Sequence, residues 1–279
     1  MAKSRVLVTG GAGFIGSHLV KLLVNLGYEV IVYDDYSTGS EFNEIEGATY
    51  HKSDAAAIRF CNLKFKYIFH LAAFSRVQPS FDNPTACFEN NVYLTSTICE
   101  YVRKYGGKLI YAGSSSKHQT DISPYSKSKE LGEEIVKLYR DVYKVDAEIA
   151  RFYNVYGPGE ITEGSMAAVI GKFRNAIKED KPLTIVGDGE QRRDFTHVDD
   201  IVNGLYLIAE GVSSHEDAWE LGTGLSYSIN EVADMFDHRV TYVDDKPGNY
   251  RSSLKINNDA YERLGWKANK RLKDYIQSL

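Results

Sequence analysis

An α/β chain, built as a doubly wound parallel sheet with a smaller lobe after it, is what this sequence predicts. Two observations carry the prediction. Through the first half, short β-branched and aliphatic runs alternate with stretches whose apolar residues recur at helical spacing, as parallel strands and their crossover helices do. The first of these runs ends in a glycine turn that opens directly into a helical pattern. Such a corner presents bare backbone N–H groups and the positive end of a helix to a phosphate.

Strands are expected near residues 5–9, 29–33, 67–71, 108–112 and 146–151, and helices near 14–26, 84–105 and 125–143. Val6-Leu7-Val8-Thr9 forms the first strand, and Phe14, Leu19, Leu22, Leu23 and Leu26 mark the helix after it. Between them Gly10 takes the positive φ of a tight turn, Gly13 lets a pyrophosphate approach, and Gly16 lets the helix sit against the strand. The second strand ends in Asp34-Asp35, about where an acid meets an adenosine ribose. A dinucleotide site is the reading this context favours over a structural turn. The third strand runs into His70-Leu71-Ala72-Ala73-Phe74-Ser75-Arg76, whose small residues suit either a flat ligand or a closely packed helix. The fourth ends in Ala112-Gly113-Ser114-Ser115-Ser116, and the fifth in Arg151-Phe152-Tyr153-Asn154-Val155-Tyr156-Gly157-Pro158. Gly and Pro break the α/β rhythm there. Residues 1–153 are therefore expected as the sheet domain and 154–279 mainly as a second one, with the segment near 194–210 packing back on the first. Ligands on such sheets collect beyond the carboxyl ends of the strands.

Composition narrows the function. The chain has 279 residues and a formal net charge of -5, ample for a core and without the basic field that nucleic acid or an anionic membrane calls for. Cys61, Cys87 and Cys99 show neither disulfide-framework nor zinc spacing. Reduced thiols in a cytoplasmic protein are the expectation. No apolar run approaches the roughly 20 residues of a membrane span, and Met1-Ala2-Lys3-Ser4-Arg5 leads straight into the first strand, so no signal peptide is expected.

Tyr125 and Lys129 carry the chemistry. Pro124 suits the first turn of a helix, and residues four apart share a helical face. Lowering a phenol from a pKa near 10 to about 7 takes some 4 kcal/mol. One positive charge about 4 Å away at an effective dielectric near 20 supplies about that much. Lys129, helped by an oxidised nicotinamide, would make Tyr125 a proton acceptor. A solvated helix also offers such pairs by chance, and the serine run could be an ordinary polar loop. Together with the glycine turn, however, a hydroxyl beside the tyrosine reads as a substrate-oxygen ligand.

At this point the chain resembles the extended short-chain dehydrogenase/reductase family, specifically its NAD-dependent nucleotide-sugar epimerases and dehydratases, on the Rossmann fold. The matching residues are Thr9 to Gly16, Asp34, His70-Leu71-Ala72-Ala73, Tyr125 with Lys129, Arg151 to Pro158, Gly187 to Asp200 and Leu264-Gly265-Trp266. The resemblance implies NAD as cofactor, held by Gly10, Gly13, Phe14, Ile15 and Gly16 at the pyrophosphate and by Asp34 with Asp35 at the ribose. It implies Asp54 on the adenine side, and Leu71, Ala72, Ala73 and Phe152 around the nicotinamide. Asn91 would support the strand ends, and Lys129 would grip the nicotinamide ribose. An acid at Asp34 repels a 2′-phosphate and favours NAD over NADP. Ser114 aligns with the catalytic hydroxyl, with Ser115 next in line. Asn154, Arg193 and Arg251 would hold the nucleotide diphosphate and Ser75 would lie near the sugar.

Plainer readings stand beside these. Arg193 and Arg251 could be surface ion pairs, and Asn154 a turn residue. His70 reads as a core histidine and Asp199-Asp200 as a helix cap. No residue set has metal-ligand spacing.

Family dehydratases and decarboxylases follow the catalytic hydroxyl with acidic residues, whereas this chain has Ser115-Ser116-Lys117. The resemblance therefore implies a UDP-sugar 4-epimerase working through a transient 4-ketosugar. The alternatives are a nucleotide-sugar 4,6-dehydratase or 4-ketosugar reductase, and, in another class, a non-catalytic NAD-binding regulatory or scaffold protein. Lys117 to Ser123 replaces a longer loop that usually opens with a Tyr-Gly pair. Related proteins pair through the helices near 84–105 and 125–143, so a homodimer is expected, with neither nucleic acid nor membrane as partner.

Overall fold

A computed structural model describes residues 3–211 and 214–279, without the side chains of Gln119, Thr120 and Asp121. Met1-Ala2 and the side chains in the middle of the shortened loop thus lie outside the described residues. Seven parallel strands form the central sheet: β1 (Arg5–Thr9), β2 (Glu29–Asp34), β3 (Ala48–Lys52), β4 (Tyr67–His70), β5 (Lys108–Ser114), β6 (Ala147–Phe152) and β7 (Trp219–Leu221). Their order is β7-β6-β5-β4-β1-β2-β3. The order reverses between β1 and β4, which opens a crevice at their carboxyl ends. Register aligns Thr9 with His70 and His70 with Tyr111, and β5 runs on past Tyr111 to Ser114, which pairs with Phe152 of β6.

The five central strands fall within a residue or two of the expected positions, because their near-continuous apolar runs are what burial on both faces demands. The two outer strands escaped the pattern. The sequence of β3 is Ala-Thr-Tyr-His-Lys with no fully buried residue, and β7 has only three residues. Neither carries enough periodicity to be read locally.

On one face α1 (Phe14–Asn25) lies under the sheet. The stretch expected as one helix near 84–105 is instead three pieces, which come after α2 (Val77–Asp82). They are α3 (Pro84–Phe88), a π-helical turn (Glu89–Tyr93) and α4 (Leu94–Tyr105). Such turns often mark functional positions, and this one holds Asn91 buried. Next comes α5 (Pro124–Tyr143), capped by Ser123, whose side chain accepts from Ser126 N, with Pro124 in the first turn. Leu94, Ile98 and Val136 from these helices share a core with Leu7, Ile68 and Ile149.

Beyond β6 the chain forms α6 (Val169–Lys178) and α7 (Val198–Glu210). Val202 and Leu205 of α7 pack with Leu19 and Leu23 of α1 and with Trp266. The remaining segments build small sheets, Ser226–Ser228 with Arg192–Asp194 and Ser252–Ser253 among them. A separate core of Tyr156, Phe173, Leu183, Phe195 and Val232 lies there. Among the described residues no helix is long and apolar enough to cross a membrane, and no cluster of His, Cys, Asp and Glu could hold a metal.

One buried ion cluster joins β6, α5 and β7. Arg151 donates to Glu133 at 2.8 Å, to Asp217 at 2.7 Å and to Glu220 at 3.0 Å. A Cβ on Gly113 would stand 2.8 Å from Glu133 Oε1, so only glycine leaves room for the carboxylate beneath the serine run.

Candidate active site

The glycine turn closes as its spacing requires. Gly10 has φ +74°, and a Cβ there would stand 2.8 Å from Ala72 N. A Cβ on Gly16 would fall 2.0 Å from Gly10 O, so α1 sits directly on the turn. Gly13 caps α1 without a side-chain hydrogen bond, and no acid occupies the first turn. This cradle, which any side chain would fill, fits a pyrophosphate.

Asp34, at the tip of β2, accepts from Ala12 N at 2.9 Å and Tyr36 N at 2.8 Å. Burial pushes its carboxyl above the usual range while those N–H groups pull it back. Asp35 is exposed and bonds Ser37 N at 2.9 Å. Asp54 caps a short 3₁₀ turn through Ala56 N at 2.7 Å. Of the paired acids, Asp34 is thus the one that belongs to the crevice. Phe14 and Ile15 are half-buried beside the turn.

Leu71, Ala72 and Ala73 leave β4 half-buried. Ala72 N donates to Thr9 Oγ1 at 3.2 Å, and that hydroxyl meets His70 Nδ1 at 2.8 Å. Burial holds the imidazole neutral, pushed down to about 3, which suits the core role expected of it. Asn91 accepts from Phe74 N at 2.8 Å and donates to Ser128 Oγ at 2.8 Å, and Ser128 donates to Tyr125 O at 2.8 Å. The π turn thereby locks the segment after β4 to the start of α5. Phe152 is half-buried at the end of β6.

Tyr125 OH donates to Ser114 Oγ at 3.2 Å. Ser116 N and its hydroxyl also donate to Ser114 Oγ, at 3.2 and 2.9 Å. Ser115 turns instead to Ser253, at 3.2 Å, so the geometry favours Ser114 over its neighbour. Lys129 is buried, with Nζ donating to Ala112 O at 2.5 Å and lying 4.4 Å from the Tyr111 ring centroid.

One expectation needs correcting. Burial raises the Tyr125 phenol above its usual value; the Ser114 hydrogen bond and then the charge of Arg76 pull it down, and Lys129 is not among the groups that do so most strongly. Helical spacing puts Tyr125 and Lys129 on one face, but the lysine stem delivers its ammonium to the end of β5. Burial also pulls that ammonium down to about 8, partly offset by Glu133. An unfolded lysine titrates near 10.4, so between about pH 8 and 10 the unfolded chain holds more protons and stability rises with pH. A Lys129→Met variant is expected to flatten that rise by up to about 1.4 kcal/mol per pH unit. Chemical denaturation across this range measures it, and an unchanged slope contradicts it.

The diphosphate candidates divide. Arg193 is buried, stacked 4.1 Å from the Tyr250 ring centroid, and donates to Asn249 Oδ1 at 3.2 Å. Arg251 is exposed and paired with Asp188 at 2.7 and 2.8 Å. The surface ion pair, rather than a free guanidinium, is what the structure contains there, because the turn at Gly187–Gly189 brings Asp188 alongside. Asn154 adopts φ +24° and donates to Asp194 O at 2.9 Å, tying β6 to the second lobe. Ser75 is half-buried, and its carbonyl accepts from Arg76 at 2.9 Å. Sequence reasoning passed over Arg76, Tyr250 and Ser80, whose hydroxyl accepts from Tyr125 N at 3.1 Å. None carries a periodic or motif signal. An open cleft of about 720 Å³ lined by Lys66, Arg103, Lys108 and Lys144 lies at the opposite edge of the sheet and contains none of the site residues.

Residues 6–222 match the model of the NAD dependent epimerase/dehydratase family. A UDP-glucose 4-epimerase of Mycolicibacterium smegmatis is 32% identical over 94% of this chain and 93% of its own length. The chain is also similar to a solved UDP-glucose 4-epimerase of Thermotoga maritima containing UDP-glucose, with TM-score 0.92, 29% identity, and coverage of 98% of this chain and 96% of that one. A UDP-N-acetylglucosamine 4-epimerase of Methanobrevibacter ruminantium, in complex with UDP-N-acetylmuramic acid, gives TM-score 0.91 at 29% identity, covering 99% and 97%.

Proposed function

The chain belongs to the NAD-dependent epimerase/dehydratase family, and on that premise we propose that it inverts C4 of a UDP-sugar. The observation that carries the reading is the Tyr125 hydroxyl, 3.2 Å from Ser114 Oγ at the carboxyl end of β5. Gly10, Gly13, Phe14, Ile15 and Gly16 would hold the cofactor pyrophosphate. Asp34 and Asp54 would take the adenosine end, and Leu71, Ala72, Ala73, Phe152 and Lys129 the nicotinamide end. When bound, NAD supplies the hydride acceptor and donor at C4.

The chain's own part is to orient and to move one proton. Ser114 Oγ orients the sugar 4-oxygen while Tyr125 takes its proton. The 4-ketosugar turns within the pocket so that the opposite face of C4 meets the nicotinamide position, and Tyr125 returns the proton to the 4-oxygen. Arg193 and Asn154 would anchor the diphosphate so that only the sugar swings. Ser115, Ser116 and Lys117, the three residues after Ser114, include no acid, which supports simple epimerisation over dehydration. Incubation with UDP-glucose or UDP-galactose should give the same mixture of both without net NADH. A single deoxy-keto product, or stoichiometric cofactor consumption, would select the dehydratase or reductase instead.

The same reading divides the chain near residue 153, with the sugar held mainly by the second lobe. It also makes α4 and α5, where Leu131 and Leu138 are exposed, the face of a homodimer. Sedimentation as a monomer would refute that face. Free thiols at Cys61, Cys87 and Cys99 accord with a cytoplasmic setting.

A further inference from the structure

We propose that the pocket is built for a UDP-sugar whose hexose carries a carboxylate, and that Arg76 is the group that reads it. The inference rests on the UDP-sugar reading above. Arg76 stands where the segment after β4 enters α2. Its Nε donates to Met166 O at 2.6 Å and one terminal nitrogen to Ser75 O at 2.9 Å. Two carbonyls fix the plane of the guanidinium without neutralising it. Among the described residues no carboxylate lies within ion-pairing distance of Arg76. The nearest acid it influences, Glu160, is engaged by Arg174 at 3.2 Å.

The surroundings add charge of the same sign. Lys172 feels both Lys246 and Arg76, and neither lysine has a carboxylate partner among the described residues. The loop bearing Lys246 closes on α2, where Gln78 Nε2 donates to Pro247 O at 2.6 Å. Arg193, stacked on Tyr250, is likewise without an acid. Lys172 and Lys246 are exposed and screened by water, and Arg193 serves the diphosphate in the reading above, which leaves Arg76 as the cation at this end of the pocket without an assigned anion. A partly buried guanidinium left without a counter-charge is costly, and its planar fork matches a carboxylate. Because Arg76 caps α2 and Ser80 of that helix accepts from Tyr125 N at 3.1 Å, the anion Arg76 awaits lies at the sugar end of the ligand.

The test measures binding to the NAD-loaded Tyr125→Phe chain, in which turnover does not intervene. UDP, UDP-glucose and UDP-glucuronate are titrated by calorimetry. UDP-glucuronate should bind roughly 10- to 100-fold more tightly than UDP-glucose. Arg76→Gln should erase that preference while leaving UDP affinity unchanged, and Arg76→Lys should restore part of it. Equal binding of the two sugars overturns the inference. So does an equal loss for all three ligands in Arg76→Gln, which would make Arg76 a phosphate ligand. Failure of even UDP to bind would bring down the UDP-sugar reading, and this inference with it.

Discussion

Tyr125→Phe is expected to lower kcat by roughly 10²- to 10⁴-fold, the usual contribution of a positioned proton acceptor, while NAD stays bound. The variant removes one oxygen. Ser114 keeps its bonds from Ser116 N and Oγ, and the helix start keeps the Ser123 cap and the Ser80 contact, so the fold has no reason to change. Arg76 and the Ser114 hydroxyl, which pull the phenol down against its burial, then have no phenol to tune. Stopped assays of UDP-sugar interconversion, with bound nucleotide measured on the same preparation, test this directly. Turnover within a few-fold of the parent chain would remove Tyr125 from the mechanism.

The second large effect concerns stability. In Arg151→Met the side chains of Glu133 and Glu220, both fully inaccessible, lose their shared counter-charge. Breaking a buried pair from one side costs about 3–5 kcal/mol, because the remaining charge stays buried. At the few degrees per kcal/mol of a chain this size, Tm should fall by about 10 °C. A triple variant that also carries Glu133→Gln and Glu220→Gln should recover much of the loss, since no isolated charge is left. Scanning calorimetry distinguishes the outcomes. A single variant within about 1 kcal/mol of the parent would show that the cluster contributes no stability. Lys117 and His118, at 3.3 Å from Glu133 and 3.5 Å from Glu220, tie the shortened loop to this cluster, so weaker substrate binding should accompany the lower Tm.

The family resemblance picked out Ser114, while sequence periodicity and spacing alone determined the five inner strands, the glycine cradle, the acid at the tip of β2 and the Tyr125–Lys129 pair. Each is specified by neighbours within a few residues: burial of both sheet faces demands apolar runs, positive φ demands glycine, and a helical turn joins positions four apart. Only tertiary structure decided the rest. Topology added β3 and β7 as edges, opened the π turn that seats Asn91, and sent the Lys129 ammonium to Ala112 rather than to the phenol. It committed Arg251 to Asp188 and, among the described residues, left Arg76 and Arg193 without acid partners. It also gathered Arg151 with Glu133, Asp217 and Glu220 from three separate segments. A charge's partner is whatever the packed chain brings within a few ångströms, and that choice is written in the whole fold rather than in the residues beside it.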